Sequence, residues 1–177
     1  MEKIANRYAE SLFDLAKEQS QVKEFSKSMR FIEEVFSADT SFIRFFNHGL
    51  IDNDAKFDII DKIFKGQLNT YLCGFLKLLI SNNRIDFILE ISQVFISLCN
   101  LDQGIIEGIL STPFPATLEE IRNIEKAMSN LKNMRVILKN EIDRAMVGGV
   151  KIYLENQVID YSIKHKIEEL KKELLRK

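Results

Sequence analysis

The sequence predicts a mainly α-helical protein, in which an N-terminal bundle of helices is followed by a small α+β C-terminal domain. Apolar residues recur at helical spacing from Ile4 to about Cys99, as is typical of amphipathic helices joined by short connections. After Gly104 the apolar residues alternate instead, as they do in strands. The two prolines of the chain, Pro113 and Pro115, lie together in this second part, so no proline interrupts the helical part.

Five or six short helices are expected in the first part. Asp52 or Asn53 is a candidate N-cap, Gly66 is a candidate C-cap, and the Ser81–Asn83 segment is a break between two helices. The apolar residues that define the successive helices are Ile4, Tyr8, Leu12 and Leu15; Val22, Phe25, Met29, Ile32 and Phe36; Phe42, Phe45 and Phe46; Phe57, Ile60, Ile63 and Phe64; Leu68, Tyr71, Leu72, Phe75, Leu76 and Leu79; and Ile85, Ile88, Ile91, Val94, Phe95 and Leu98. The many phenylalanines predict a core filled with aromatic side chains.

The second part predicts a strand, a helix, further strands and a closing helix. The segment Ile105–Leu110 alternates like a strand, and Thr117 begins a helix with Glu120 as its capping-box partner. The apolar positions of that helix are Leu118, Ile121, Ile124, Ala127, Met128 and Leu131. Strands are expected at Met134, Val136 and Leu138 and at Val150, Ile152 and Leu154, and a turn at Glu155–Gln157 then leads to Val158 and Ile159. Ser162 caps a closing helix whose apolar face is Ile163, Ile167, Leu170 and Leu174 and whose basic end is Lys171, Lys172, Arg176 and Lys177.

Two domains are predicted, residues 1–102 and 103–177, because the pattern changes at Asn100–Gly104. The proline pair then lies inside the second domain, at the corner between its first strand and its first helix. Residues without a backbone N–H cost least at such a corner.

Composition excludes several classes of protein. The chain has 177 residues, 46% of them apolar and 29% charged, with a net charge of −1. This apolar content is too high for intrinsic disorder, and the near-neutral charge argues against a nucleic-acid partner. No stretch approaches the roughly 20 apolar residues of a spanning helix, and no leader pattern opens the chain. We therefore expect a protein of the reducing cytoplasm, without direct membrane insertion.

No pattern for catalysis, metal binding or cofactor binding is found. His48 and His165 are far apart and have no metal-ligand spacing around them, and Cys73 and Cys99 belong to no C-x-x-C motif. We expect surface or capping roles for the histidines and small buried apolar roles for the cysteines. No catalytic residue, metal ligand or cofactor is therefore predicted.

Two segments resemble one family, the delta subunit of bacterial ATP synthase, which is related to the mitochondrial oligomycin-sensitivity-conferring protein. The segment Ala5–Ala16, ANRYAESLFDLA, resembles the family's first helix. The segment Val136–Ile163 is more specific, because it contains a strand, an Asp, a Gly-Gly pair, a second strand, a turn and then Ile-Asp-x-Ser before the last helix. We expect its signature residues to determine the fold through a turn, a bulge and a cap: Asp143, Gly148, Gly149, Asp160 and Ser162. The resemblance covers nearly the whole chain, in order.

The resemblance implies a six-helix N-terminal bundle, a small α+β domain and a role without catalysis. Such a subunit joins the catalytic alpha/beta head to the peripheral stalk, and so resists rotor torque while proton translocation drives ATP synthesis. The implied partners are the N-terminal helix of an alpha subunit, in a groove between the first and fifth helices of the bundle, and the b subunits, at the C-terminal domain. The implied location is peripheral, on the cytoplasmic face of the cell membrane.

The first and fifth helices of this chain have more apolar surface than one core-facing stripe requires. In the first helix, either Ile4, Tyr8, Leu12 and Leu15 or the face with Ala5, Ala9, Phe13 and Ala16 can build the core, which leaves the other for a partner helix. Alternatively, both helices are simply central in the bundle. The candidate groove residues are Tyr8, Ser11, Leu12, Leu15, Phe75, Leu76 and Leu79, with Arg7 and Arg84 as candidate rim charges.

Two other functions compete with the stator role. A generic cytoplasmic helical adaptor would share every feature except the ordered signature. An enzyme of unfamiliar type would need a pocket with perturbed titratable groups.

Overall fold

The computed structural model describes residues 2–39, 41–64, 66–154 and 157–175. Contacts along the chain divide it into two compact units, Met1–Cys99 and Asn100–Lys177. Over the described residues the protein is mainly helical with a small sheet in the second unit, as predicted, and that sheet has four strands.

Helices make up the whole regular structure of the described part of the first unit. They are α1 (Glu2–Glu18), α2 (Val22–Ala38), α3 (Ser41–Phe46), α4 (Asn53–Phe64), α5 (Thr70–Ser81) and α6 (Ile88–Asp102), the last of which continues into the second unit. The predicted sixth helix starts differently from the expectation, because Ile85–Phe87 forms one turn of 3₁₀ helix before α6. In that turn the amide of Phe87 donates to the carbonyl of Arg84, and the side-chain amide of Asn47 donates to the carboxylate of Asp86.

Local side chains determine where α5 begins and ends. The side-chain oxygen of Asn69 accepts the amide of Leu72 at 2.9 Å, which satisfies one of the unpaired donors at the N-terminus of a helix. Asn83 adopts a left-handed conformation with φ of 52° and stops the helix at the predicted break.

The core of the first unit is one apolar cluster to which every helix contributes. Its largest fully buried side chains are Phe25, Phe36, Phe46, Phe64, Phe95, Met29, Ile32, Ile60, Leu72, Leu76, Leu79 and Ile80. Burying such a side chain contributes about 1.5–3 kcal/mol, so this cluster supplies most of the driving force for folding the unit. From α1 the buried residues are Ala5, Ala9, Leu12 and Ala16, so the alanine face of that helix is the core face.

The second unit is a sheet with a helix packed on one face. Its elements are β1 (Ile105–Thr112), α7 (Leu118–Lys132), β2 (Arg135–Ile142), β3 (Gly149–Leu154), β4 (Gln157–Ser162) and α8 (Ile163–Leu175). The strand order is β2-β1-β3-β4, with β1 parallel to β2 and the other pairs antiparallel. The parallel pair requires a crossover, which α7 provides. The buried core beneath α7 is formed by Ile106, Leu110, Met128, Val136, Leu138, Ile152 and Leu154.

The proline corner joins β1 to α7, as predicted, and Asn140 holds it in place. The Asn140 side chain accepts the amide of Ala116 at 3.0 Å and donates to the carbonyl of Leu110 and the hydroxyl of Thr112. Thr117 then caps α7 with Glu120 in the predicted capping box. Hydrogen bonds from the amide and then the hydroxyl of Thr117 hold the pKa of Glu120 below its usual range.

Two predicted apolar stripes are less buried than expected. In α7, Ile121, Ile124 and Met128 pack on the sheet, whereas Leu118 and Leu131, at the two ends of the helix, are exposed. In α8, the whole predicted stripe is exposed: Ile163 45%, Ile167 56%, Leu170 59% and Leu174 76%. Arg176, Lys177 and the first part of the predicted turn at Glu155–Gln157 lie outside the described residues.

Asp143 and Gly148 lie in the connection between β2 and β3, Gly149 begins β3, and Asp160 and Ser162 lie at the end of β4, before α8. The Asp143 carboxylate accepts the amide of Ala145 at 2.9 Å, and the Asp160 carboxylate accepts the amide of Ser162 at 2.8 Å. The Ser162 hydroxyl accepts the amide of His165 at 3.2 Å, as an N-cap does. Gly149 has a φ of 85°, and a Cβ there would lie 2.4 Å from the carbonyl oxygen of Tyr161.

Replacing each glycine of the pair should separate backbone strain from side-chain crowding. Gly149→Ala forces a left-handed backbone and a backbone clash, so we expect it to lower the free energy of unfolding by about 2 kcal/mol or more. Gly148→Ala is the matched control, since its new Cβ meets only the flexible end of Ile163 and the backbone at Gly148 is unstrained. Urea unfolding measures both. Equal costs for the two variants would contradict this account of Gly149.

Candidate functional site

The candidate site is a groove between α1 and α5, which run antiparallel to each other. Gln19, at the end of α1, accepts a hydrogen bond from the hydroxyl of Tyr71 at the start of α5. At the opposite end, the side-chain amide of Asn82 lies 3.4 Å from the hydroxyl of Tyr8. The groove has a volume of about 400 Å³ and is lined by Arg7, Tyr8, Ser11, Leu12, Leu15, Tyr71, Gly74, Phe75 and Leu78.

The groove exists because two neighbouring faces of α1 carry side chains of different size. Short alanines on the core face keep α1 close to the rest of the unit. The helical period places Tyr8, Ser11 and Leu15 to one side of the core face and beside α5, where Tyr8 and Leu15 still pack against the edge of the core. Leu12 is shared between the two faces, since it is 3% exposed and still lines the groove.

Helix α5 divides its apolar residues in the same way. Leu72, Leu76, Leu79 and Ile80 point into the core, whereas Tyr71, Phe75 and Leu78 form the neighbouring face at i, i+4 and i+7. Between them Gly74 has no side chain, and a Cβ built there meets nothing within 4 Å. This glycine therefore adds depth to the middle of the groove.

Aromatic contacts hold the walls of the groove in position. The rings of Tyr8 and Phe75 meet edge to face across it, with centroids 6.3 Å apart and an interplanar angle of 70°. The buried ring of Phe25 packs against the ring of Tyr71, with centroids 6.1 Å apart. Tyr71 and Leu78 are nevertheless 45% and 49% exposed, so both present apolar area for a partner to bury.

The groove suits an apolar helical ligand. Among the described residues that line it, Arg7 is the one charged side chain, and its guanidinium lies 5.6 Å from the centroid of the Tyr8 ring. The distance from Tyr8 to Leu15 is two helical turns, or about 10 Å. That length matches the i, i+3/i+4, i+7 anchors with which an amphipathic helix binds a groove.

A second hollow, between α4 and α5, is more polar. It has a volume of about 580 Å³, and its lining includes the Lys77–Asp61 ion pair, with a nitrogen–oxygen distance of 2.7 Å. Cys73 lies on this hollow and is only partly buried, which differs from the buried role expected for it. Burial, with the nearby charge of Asp61, raises the pKa of the Cys73 thiol, so the reactive thiolate is disfavoured.

The structure brings most of the predicted groove residues together, and three of them lie elsewhere. Tyr8, Ser11, Leu12, Leu15, Phe75 and the rim residue Arg7 all line the groove. Leu76 and Leu79 do not, because both side chains are fully buried on the core face of α5. Arg84 does not line the groove either and lies at the start of the 3₁₀ turn that follows α5.

Three further residues line the groove that the sequence did not predict there, namely Tyr71, Gly74 and Leu78. The helical period does contain the signal, because Tyr71, Phe75 and Leu78 share one face while Leu72, Leu76 and Leu79 share another. The period leaves open which of two apolar faces meets the core.

The described part of the chain contains no cluster of three or more His, Cys, Asp or Glu residues that could hold a metal ion. None of the helices in the described ranges is long and apolar enough to cross a membrane.

Comparison with known proteins identifies the family. Residues 4–174 match the model of the ATP synthase delta (OSCP) subunit family. The chain belongs to this family. Among its relatives are proteins named ATP synthase subunit delta from Clostridioides difficile, 27% identical with 97% of this chain and 95% of the relative covered, and from Anoxybacillus flavithermus, 29% identical with 98% and 97% covered. A third, from Metamycoplasma arthritidis, is 30% identical with 94% and 93% covered.

The delta-family fold is also found in a solved structure. The chain matches a chain in the Toxoplasma gondii mitochondrial ATP synthase hexamer with a TM-score of 0.81, at 16% sequence identity and with 97% of both chains covered. This delta-family protein is a stator component of ATP synthase and a structural, non-catalytic subunit. Family membership therefore distinguishes it from the generic adaptor and from an enzyme of unfamiliar type.

Two leucines of α5 should separate stability from binding. Leu76→Ala removes a fully buried side chain, so we expect it to lower the free energy of unfolding by about 2–5 kcal/mol. Leu78→Ala, two residues away and half-exposed, should cost less than about 1 kcal/mol. Thermal unfolding of both variants tests this assignment of the two faces. A larger cost for Leu78→Ala than for Leu76→Ala would reverse it.

Proposed function

We propose that this delta-family subunit joins the catalytic head to the peripheral stalk of an F-type ATP synthase, with one partner on each unit. In this proposal α1–α6 form the six-helix bundle of the family, which binds the N-terminal helix of an alpha subunit. The α+β unit binds the b subunits. The protein is then peripheral, on the cytoplasmic face of the cell membrane, and is held there by the complex.

The α1/α5 groove is the single observation that carries the proposal. Its lining is mostly apolar, it extends over two helical turns, and half-exposed aromatic and leucine side chains project from its walls. An amphipathic helix would bury the exposed areas of Tyr71 and Leu78 there. Arg7 at one end favours a partner helix with a carboxylate at that position.

The exposed stripe of α8 supports a second partner on the other unit. Ile163, Ile167, Leu170 and Leu174 recur at i, i+4, i+7 and i+11, which places them along one side of the helix. Each is at least 45% exposed, and a continuous exposed apolar stripe marks an interaction surface. A helix of a b subunit would cover it by side-by-side packing.

Two interfaces on one subunit explain how such a protein resists torque without any chemistry. The alpha and beta subunits tend to turn with the rotor, and the head is restrained only if it is connected to the stalk. A subunit that binds an alpha helix through one unit and the b subunits through the other transmits this restraint. Proton translocation is then coupled to ATP synthesis.

The groove is tested by titrating the full-length protein with a peptide from the N-terminus of the alpha subunit. We expect Leu78→Asp to weaken binding about tenfold or more, because it places a charge in the apolar wall. Leu50→Asp is the matched control, since Leu50 is 91% exposed and does not line the groove. Calorimetry measures both affinities, and NMR should show shifts in α1 and α5. Unchanged affinity in Leu78→Asp would rule out this groove as the alpha site.

The α8 surface is tested with a soluble fragment of the b subunits. Leu170→Asp should abolish detectable binding of that fragment and leave alpha-peptide affinity unchanged, because Leu170 is in the centre of the exposed stripe. Leu131→Asp changes an even more exposed leucine, on α7, and this variant should bind the fragment normally. If both variants lose the b fragment, or neither does, the stripe is not the b site.

A further inference from the structure

One edge of the sheet has part of its outward backbone groups satisfied by side chains of a helix. In the order β2-β1-β3-β4, the edge strands are β2 and β4. On β2 the amide of Arg135 donates to Gly104, and the amide of Asp143, just beyond the strand, donates to Thr112. Odd-numbered backbone groups therefore face β1, and even-numbered groups face outward. An outward row of this kind is a template on which another strand can pair.

Side chains of α7 occupy the first part of that row. The amide of Val136 donates to the hydroxyl of Ser129 at 2.9 Å, and the amide of Leu138 donates to a carboxylate oxygen of Glu125 at 2.8 Å. Ser129 and Glu125 are one helical turn apart on α7, and Val136 and Leu138 are one strand repeat apart on β2. The two acceptors thus match two successive outward donors and lie where a neighbouring strand would pair.

The sequence of β2 is self-complementary in an antiparallel register. With Asn140 opposite Asn140 of a second copy, Leu138 lies opposite Ile142, and Lys139 lies opposite Glu141. The outward groups of the even-numbered residues then form the hydrogen-bonded pairs, and the charged residues form the closer non-hydrogen-bonded pairs. Lys139 and Glu141 form an ion pair of 3.5 Å within the strand, and their side chains are 80% and 49% exposed, so a second copy could reach both.

We propose that Ser129 and Glu125 are an edge guard, which prevents β2 from pairing with β2 of a second copy of this chain. The amide of Leu138 donates to Glu125, so it cannot also donate to a second copy, as the self-complementary register requires. The outward groups of Asn140 and Ile142 alone are too short a ladder for a stable pair. A subunit that connects two different partners benefits from this device, because pairing between copies would compete with assembly.

The test compares variants of the full-length protein by sedimentation velocity over a range of micromolar concentrations. The wild type and Glu125→Gln, which keeps an acceptor oxygen, should sediment as monomers. The double variant Glu125→Ala, Ser129→Ala should form a dimer. Lys126→Ala is the control for an ordinary change on α7. A folded double variant that stays monomeric, or a wild type that already dimerises through β2, would overturn the proposal.

Charge reversal then tests the register. Adding Lys139→Glu to the double variant places like charges opposite each other and should cause the dimer to dissociate. Adding Glu141→Lys as well should restore the dimer. A dimer that persists after Lys139→Glu alone would refute pairing in this register.

If the double variant fails to fold, amide exchange in the single variants decides the question. Ser129→Ala should accelerate exchange of the Val136 amide by roughly tenfold, and Glu125→Ala should do the same for the Leu138 amide. Unchanged exchange at both amides would show that these side chains do not guard the edge.

Discussion

The placement of α1 against the core by its small residues is the constraint on which the candidate site depends. Ala5, Ala9 and Ala16 are at most 2% exposed, so the helix lies close to the apolar cluster of the first unit because these side chains occupy little space. The larger residues of α1, Tyr8 and Leu15, are thereby placed beside α5 and not inside the core. Larger residues on the alanine face would move α1 outward and change the width of the groove.

The second unit depends on the parallel pairing of β1 and β2, which requires α7 to cross the sheet. The same helix covers the core, connects the two strands and brings acceptor side chains to the edge of β2. The proline corner is the start of this crossover, and Asn140 fixes it from within β2. One element therefore determines the topology of the sheet and the state of one of its edges.

Most of the fold was predictable from local patterns because each pattern corresponds to a local physical cause. The left-handed residue Asn83 ends α5 where the Ser81–Asn83 segment predicts a break, and the capping box at Thr117 and Glu120 begins α7. The start of α6 was not predictable in this way. A 3₁₀ turn and an α-helix have similar apolar spacing, and a contact between Asn47 and Asp86, which are distant in sequence, accompanies the tighter turn.

The sequence by itself determined the helical first part, the mixed second part, the proline corner and the family to which the chain belongs, because periodicity, capping residues and ordered motifs are local properties. Only the tertiary structure decided which of two apolar faces is buried. It placed the alanines of α1 and Leu76 and Leu79 of α5 in the core, and it left Tyr71, Gly74 and Leu78 to line the groove. The physical reason is that a helical repeat specifies which residues share a face, whereas burial depends on what the rest of the chain packs against that face.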